Sequence, residues 1–164
     1  MALPPFQRFL DDHADAMWRL CVASVGRDEA DDAYQEACLA ALRAYPRLRA
    51  RSNLRAWALT IAHRKALDIH RARARRPVAV GAGQTPGGQT PGEPTTAGSD
   101  PWDRDDAVWE AVRALPDGMR AAVTLRYAGD LTPAEVAAAL RITPEAARRR
   151  IADGLARLRE DYRP

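Results

Sequence analysis

The stretch Thr132–Ile151, TPAEVAAALRITPEAARRRI, contains two helix starts in quick succession. Thr132, Pro133 and Glu135 supply a capping hydroxyl, a proline where the missing N–H costs nothing, and an acid placed to reach back to the cap. Thr143-Pro144-Glu145 repeats the device with its acid one position early. Between the two starts, Val136, Ala137 and Leu140 give a short helix its apolar face, and Arg141-Ile142 remains as a tight link. Helices joined so closely cross steeply, which is the outline of a helix-turn-helix. In that motif the second helix enters a DNA major groove. Here its buried stripe is Ala147, Ile151, Leu155 and Leu158, with Arg149 pointing away from it and Arg148 and Arg150 on the flanks. Arginine is the best reader of guanine, so these three side chains are candidate DNA contacts.

Upstream, Trp102 to Leu115 reads as a helix with Val108, Trp109 and Val112 inward. Pro116 breaks it, and Asp117 opens a further helix carrying Met119, Val123, Leu125 and Tyr127. Together with the helix-turn-helix these make a four-helix unit, assigned to residues 102–164. Before it, residues 77–101 repeat GQTPG and have almost no apolar bulk. That composition predicts a disordered Gly/Pro/Thr linker with an r.m.s. span of roughly 25–30 Å. The units it joins are then free to sit apart.

Residues 1–76 read as three helices. The first is spaced by Phe6, Phe9, Leu10, Met17, Leu20, Cys21 and Val25 and stopped by Gly26. The second starts near Asp28, with Ala30, Tyr34, Ala37, Cys38, Ala41, Leu42 and Tyr45 as its expected core stripe, and ends at Pro46. The third runs from near Ser52 to about Arg75. The fold class is therefore all-α: two small helical domains joined by a flexible linker, the C-terminal one a helix-turn-helix. Low aromatic content, 6% of the 164 residues, agrees with helix over sheet. Cys21 and Cys38 fall at apolar helical positions and read as buried free thiols.

Net charge is only +3, but the bases are unevenly placed. Between Pro46 and Arg76 the sole acid is Asp68, while arginines crowd the loop and the second half of the third helix. Such a block is an electrostatic footprint for a polyanion. Trp57, just after the basic loop Pro46–Asn53, suits either core packing or stacking on unpaired bases. On the second helix, Asp32, Gln35 and Leu39 fall opposite the core, flanked by Glu36 and Arg43. A leucine within a polar, acidic stripe suggests a partner surface. His13, His63 and His70 have no metal-ligand spacing, and no glycine-rich phosphate loop is present. No enzyme activity, cofactor or metal is expected. No stretch is apolar and long enough to span a membrane, and the N-terminus lacks a signal-peptide layout, so a cytoplasmic protein is expected.

Three stretches carry a resemblance to a known family. EADDAYQEACLAALRA (Glu29–Ala44) resembles the acidic A-x-D-x-x-Q-E helix of the extracytoplasmic-function (ECF) sigma factors. LRAWALTIAHRKALDIHR (Leu54–Arg71) is similar to their tryptophan-opened promoter-melting helix. ALPDGMRAAVTLRYAGDLTPAEVAAAL (Ala114–Leu140) is similar to their L-P-x-x-x-R…L-x-Y…L-x-x-x-E-[IV]-A lead into the second DNA-binding domain. The resemblance implies a dissociable subunit that directs bacterial RNA polymerase to promoters. It implies that Asp32, Gln35, Glu36 and Leu39 dock on the clamp helices of the largest polymerase subunit. Arg49, Arg51, Asn53, Trp57, His63, Arg64, Lys65 and Arg71 would then bind the melted minus-10 element. Thr143, Glu145, Arg148, Arg149 and Arg150 would face the minus-35 duplex. Further implied partners are the polymerase flap region, for the C-terminal domain, and an anti-sigma factor.

The chain departs from the family pattern at four places. Arg64 stands for the usual Asn, Arg141 for the usual glycine after the short helix, and Ala146-Ala147 for a Thr-Val pair. The linker holds only Glu93 and Asp100 as acids. Two other classes share these motifs: a two-domain repressor that binds duplex DNA alone, and a degenerate sigma-like antagonist that binds polymerase without opening promoters.

Overall fold

The computed structural model describes residues 2–50, 52–76 and 106–161. The linker expected over 77–101, the first turn of the helix expected from Trp102, and Arg51 lie outside them. Among the described residues there are seven α-helices, one 3-10 turn and no strand. They are α1 (Phe6–Val25), α2 (Arg27–Ala44), α3 (Leu54–Arg75), α4 (Asp106–Ala114), α5 (Asp117–Tyr127), α6 (Pro133–Leu140) and α7 (Pro144–Asp161), with the 3-10 turn at Tyr45–Arg47.

Helices α1, α2 and α3 form one bundle. Gly26 separates α1 from α2 at φ +83°, a left-handed conformation that glycine adopts without strain, and its N–H closes on Val22 O at 2.8 Å. Ala30, Ala33, Ala37 and Ala41 of α2 are each fully buried. Their i, i+3, i+4 spacing makes a seam of small side chains that lets α1 and α3 pack close to the α2 backbone. This seam corrects the expected core stripe. Leu42 is 51% exposed, because the stripe is centred on the alanines and Leu42 lies past its edge. At one end of the bundle Phe6, Phe9, Tyr45 and Trp57 form an aromatic cluster, and Tyr45 Oη donates to Pro4 O at 2.6 Å. Cys21 and Cys38 are free thiols. Burial, with Cys38 nearby, pushes the Cys21 thiol up to about 12, so it stays protonated in the core.

The four C-terminal helices pack around Trp109, Val112, Leu115, Val123, Leu125, Leu131, Val136, Ala147 and Ile151. The α6 start is the capping box expected at Thr132 and Glu135, with both reciprocal hydrogen bonds made. At the end of α6, Arg141 is left-handed (φ 55°, ψ 46°). Ile142 N–H bonds Ala137 O at 3.0 Å and Arg141 N–H bonds Ala138 O at 3.3 Å, a Schellman turn. Thr143 Oγ1 then accepts from Ala146 N–H at 3.2 Å and starts α7. Gly154 lets α7 approach α5: a Cβ there would lie 2.7 Å from Val123 Cγ2.

The two units pack together rather than standing apart. Arg55, Leu59, His63 and His70 share one face of α3, and this face meets the second unit. Arg55 Nη2 donates to Gly129 O at 3.0 Å, Arg113 Nη1 to Val22 O at 3.4 Å, and Asn53 Nδ2 to the Glu135 carboxylate. Leu59 is fully buried.

Candidate nucleic-acid interface

Three surfaces hold the candidate residues. On α2, Asp32, Gln35, Glu36 and Leu39 are all exposed, as the helical phase requires. Leu39 is 46% exposed, and Leu42 lies three residues on, so two aliphatic side chains stand on the exposed side of the helix among polar ones. Below them Glu29 pairs with Arg73 of α3 at 2.9 Å.

The second surface is the loop before α3 and α3 itself. Arg49, Arg64 and Arg71 are exposed, and Lys65 is half-buried. Asn53 caps α3 by accepting from Ala56 N–H at 3.0 Å, while its amide reaches Glu135 of α6. Trp57 is half-buried, with its ring 5.4 Å from Phe9 and 6.1 Å from Tyr45. It therefore joins the aromatic cluster and keeps an open side. His63 is placed differently from the others. It is 7% exposed, on the α3 face that meets the second unit. Burial, and then the charges of Arg120, Arg64 and Arg71, lower its pKa to about 4, so the ring is neutral at pH 7.

The third surface is the exposed side of α7. Thr143 is committed to the cap. Glu145 pairs with Arg148 at 3.3 Å and Arg149 with Asp153 at 3.7 Å, all four exposed. Such exposed pairs are weak and leave the guanidinium groups available to a polyanion. Arg150 turns the other way. Its guanidinium lies 3.4 Å from where a Cβ on Gly118 would sit, so it faces α5 and the seam between the units.

Arg55, Arg113 and Arg120 hold that seam and were not among the candidates. Arg120 is the final residue of the L-P-x-x-x-R match, and the structure explains its place there. Its guanidinium bonds Asp117 Oδ1 at 2.7 Å, Arg113 O at the end of α4 at 3.2 Å, and His70 Nε2 of α3 at 3.3 Å. One side chain ties two helix ends to the other unit. The motif was a signal for Arg120; neither Arg55 nor Arg113 stands out from the general basic background. Two of the departures, Arg64 and Arg141, line one shallow crevice between α3 and the α6 turn.

Two family models match the chain: Sigma-70 region 2 over residues 9–76, and Sigma-70, region 4 over residues 105–158. The chain belongs to the sigma-70 family. The order, region 2 then region 4 with an unmatched stretch between, is the one the ECF resemblance implied. Members of this family direct the start of transcription, and this chain is a sigma factor rather than a repressor. Among solved structures, the chain is similar to the sigma factor RpoE of Bartonella quintana, solved with the anti-sigma factor NepR. The two are 22% identical with a TM-score of 0.71, over 94% of each chain. It is also similar to CnrH, solved with the cytosolic domain of CnrY, at 21% identity and a TM-score of 0.68, over 93% of this chain and 84% of that one. At these identities the likeness is one of fold. No protein of curated function matches the chain.

Proposed function

We propose that the sigma factor divides its work among the three surfaces. Asp32, Gln35, Glu36 and Leu39 on α2 dock on the clamp helices of core RNA polymerase. Arg49, Arg51, Asn53, Trp57, Arg64, Lys65 and Arg71, with His63 once uncovered, bind the melted minus-10 element. Thr143, Glu145, Arg148 and Arg149 face the minus-35 duplex, and Arg150 reaches it only from the seam side. Residues 1–76 and 102–164 are the two working domains, and the second also meets the polymerase flap region. The protein has no catalytic activity of its own, uses no cofactor and acts in the cytoplasm, where an anti-sigma factor holds it in reserve. Among the described residues no helix is long and apolar enough to cross a membrane.

The observation that carries the docking assignment is the exposed Leu39 among Asp32, Gln35 and Glu36. Nearly half of its surface stays in water, and a partner that covers it gains that burial. Asn53 and His63 are engaged with the second unit, so DNA binding through them requires the seam to open. Run-off transcription with purified core polymerase tests the whole reading. Leu39→Arg should weaken core binding at least tenfold while leaving helicity by circular dichroism unchanged. Equal core affinity for the two proteins would remove the docking assignment.

A further inference from the structure

Between the units lies a crevice of about 200 Å3, walled mainly by α3 and α5, with Arg150 of α7 at its side. His63, His70, Arg71, Arg120 and Arg150 line it, and the one acid among its lining residues is Asp117. That carboxylate is already held by Arg120 at 2.7 Å. Three guanidinium groups thus line the space with a single carboxylate, and only Arg120 pairs with it. The start of α5 opens onto the same space through Asp117 and Gly118. Pro116 occupies its cap position and offers no side-chain acceptor, so the first-turn N–H groups carry their partial positive charge uncapped. Gly118 has no side chain over them, and the Arg150 guanidinium lies against it.

Two lining residues are also unsatisfied. His63 Nδ1 and Thr124 Oγ1 are buried with no hydrogen-bond partner, and the residues are 7% and 1% exposed. Thr124 could donate to the carbonyl four residues back, as helical threonines often do, and does not. Native interiors rarely leave such groups unpaired without a ligand, an ion or a water in reach. An excess of cationic donors, an uncapped helix start and two orphaned polar atoms converge on one space.

We infer that this crevice is a binding site for a small, multiply charged phosphate-class oxyanion held between the two domains. Its volume lies below the roughly 300–1,000 Å3 of pockets for drug-sized ligands, which suits phosphate or pyrophosphate and not a nucleotide. An anion there bridges His70 and Arg71 of α3 to Arg120 of α5 and Arg150 of α7. It binds only when the domains are together, so it favours the closed arrangement by mass action. Binding is independent of the promoter assignments above. Its consequence rests on them: occupancy would oppose the opening that frees Asn53 and His63 for DNA.

The test is calorimetric titration of the full chain with pyrophosphate, and separately with inorganic phosphate, at fixed ionic strength. Saturable one-to-one binding is expected. Thr124→Val, which keeps the side-chain shape and removes the hydroxyl, should weaken it roughly tenfold, as should His70→Ala. Arg75→Ala, at the exposed end of α3 and outside the crevice, should leave it unchanged. In the wild type, the His63 and His70 ring resonances should shift on titration, which needs no variant to fold. Absence of saturable heat and of ring shifts overturns the inference. So does weakening by Arg75→Ala as large as that by Thr124→Val, which would mark diffuse attraction to a basic surface.

Discussion

Arg141 sits at φ 55°, where an L side chain crowds its own backbone. The family pattern places glycine at this point, and the turn is nevertheless the one glycine would make: the Schellman hydrogen bonds at Ala137 and Ala138 are both present. The fold therefore keeps the turn and bears the strain. Left-handed backbone costs about 1–2 kcal/mol for a non-glycine residue, and glycine would lose about 0.5–1 kcal/mol more entropy on folding. The first term is larger, so Arg141→Gly should stabilise the protein by up to about 1 kcal/mol, read as a higher urea midpoint with an unchanged slope. A lower midpoint would mean that Arg141 makes a compensating contact. Farther along, Arg148, Arg149 and Arg150 are adjacent in sequence and differ in surroundings. Arg149 is the most exposed of the three, its side chain 84% accessible, and Arg150 faces α5. Arg149→Ala should cost about 1–3 kcal/mol on a promoter with the matched guanine and little on one mutated in the upstream element. Arg150→Ala should act on both templates alike. Equal losses from Arg149→Ala on the two templates, measured by initiation rate, would remove Arg149 as a base reader.

Among the elements, α7 shows how one small residue sets a helix crossing. Gly154 lies mid-helix, where glycine costs roughly 1 kcal/mol relative to alanine. Its Cβ would meet the buried Val123 methyl at 2.7 Å, and a β-branched side chain in a packed core has no free rotamer to retreat to. Overpacking of this kind costs about 1–3 kcal/mol, more than the propensity gained. Gly154→Ala should accordingly lower the melting temperature by several degrees, and a stabilised variant would show that α5 and α7 can separate slightly at no cost. Legibility in the sequence follows the same physics. The α6–α7 pair was readable because capping chemistry is local: Thr132, Glu135 and Thr143 act within three residues of themselves. The α2 core is not legible at Leu42, because the buried seam there is built of alanine while hydrophobic periodicity weights the larger apolar residues. Gly154 gave no sequence signal at all, since its reason lies in Val123, far along the chain.

At the scale of the whole molecule, the seam was invisible from the sequence. A Gly- and Pro-rich linker argues for independent domains, and the contacts that bring them together are arginines bonding to main-chain carbonyls, Arg55 to Gly129 and Arg113 to Val22, which have no sequence signature. His63 read as a DNA ligand for the same reason: its burial is created by the second unit. That burial makes the closed arrangement sensitive to acid. The His63 pKa falls from 6.5 to about 4 in this arrangement. Above pH 6.5 the ring is neutral whether the seam is closed or open, and the full stability is present. Between 6.5 and about 4 the opened or unfolded chain takes up a proton that the closed form refuses, so stability is lost as pH falls. From pH 7 to 5 the loss is up to about 2 kcal/mol. The His13 pKa is lowered too, chiefly by burial, and adds a change of the same sign from within the first unit. Urea unfolding at pH 7 and pH 5 separates the two. The wild type should lose more stability than His63→Leu over this interval, with the His13 and carboxylate contributions common to both. Identical pH dependence in the two proteins would mean that His63 is hydrated and titrates normally, and that the domains spend little time together in solution.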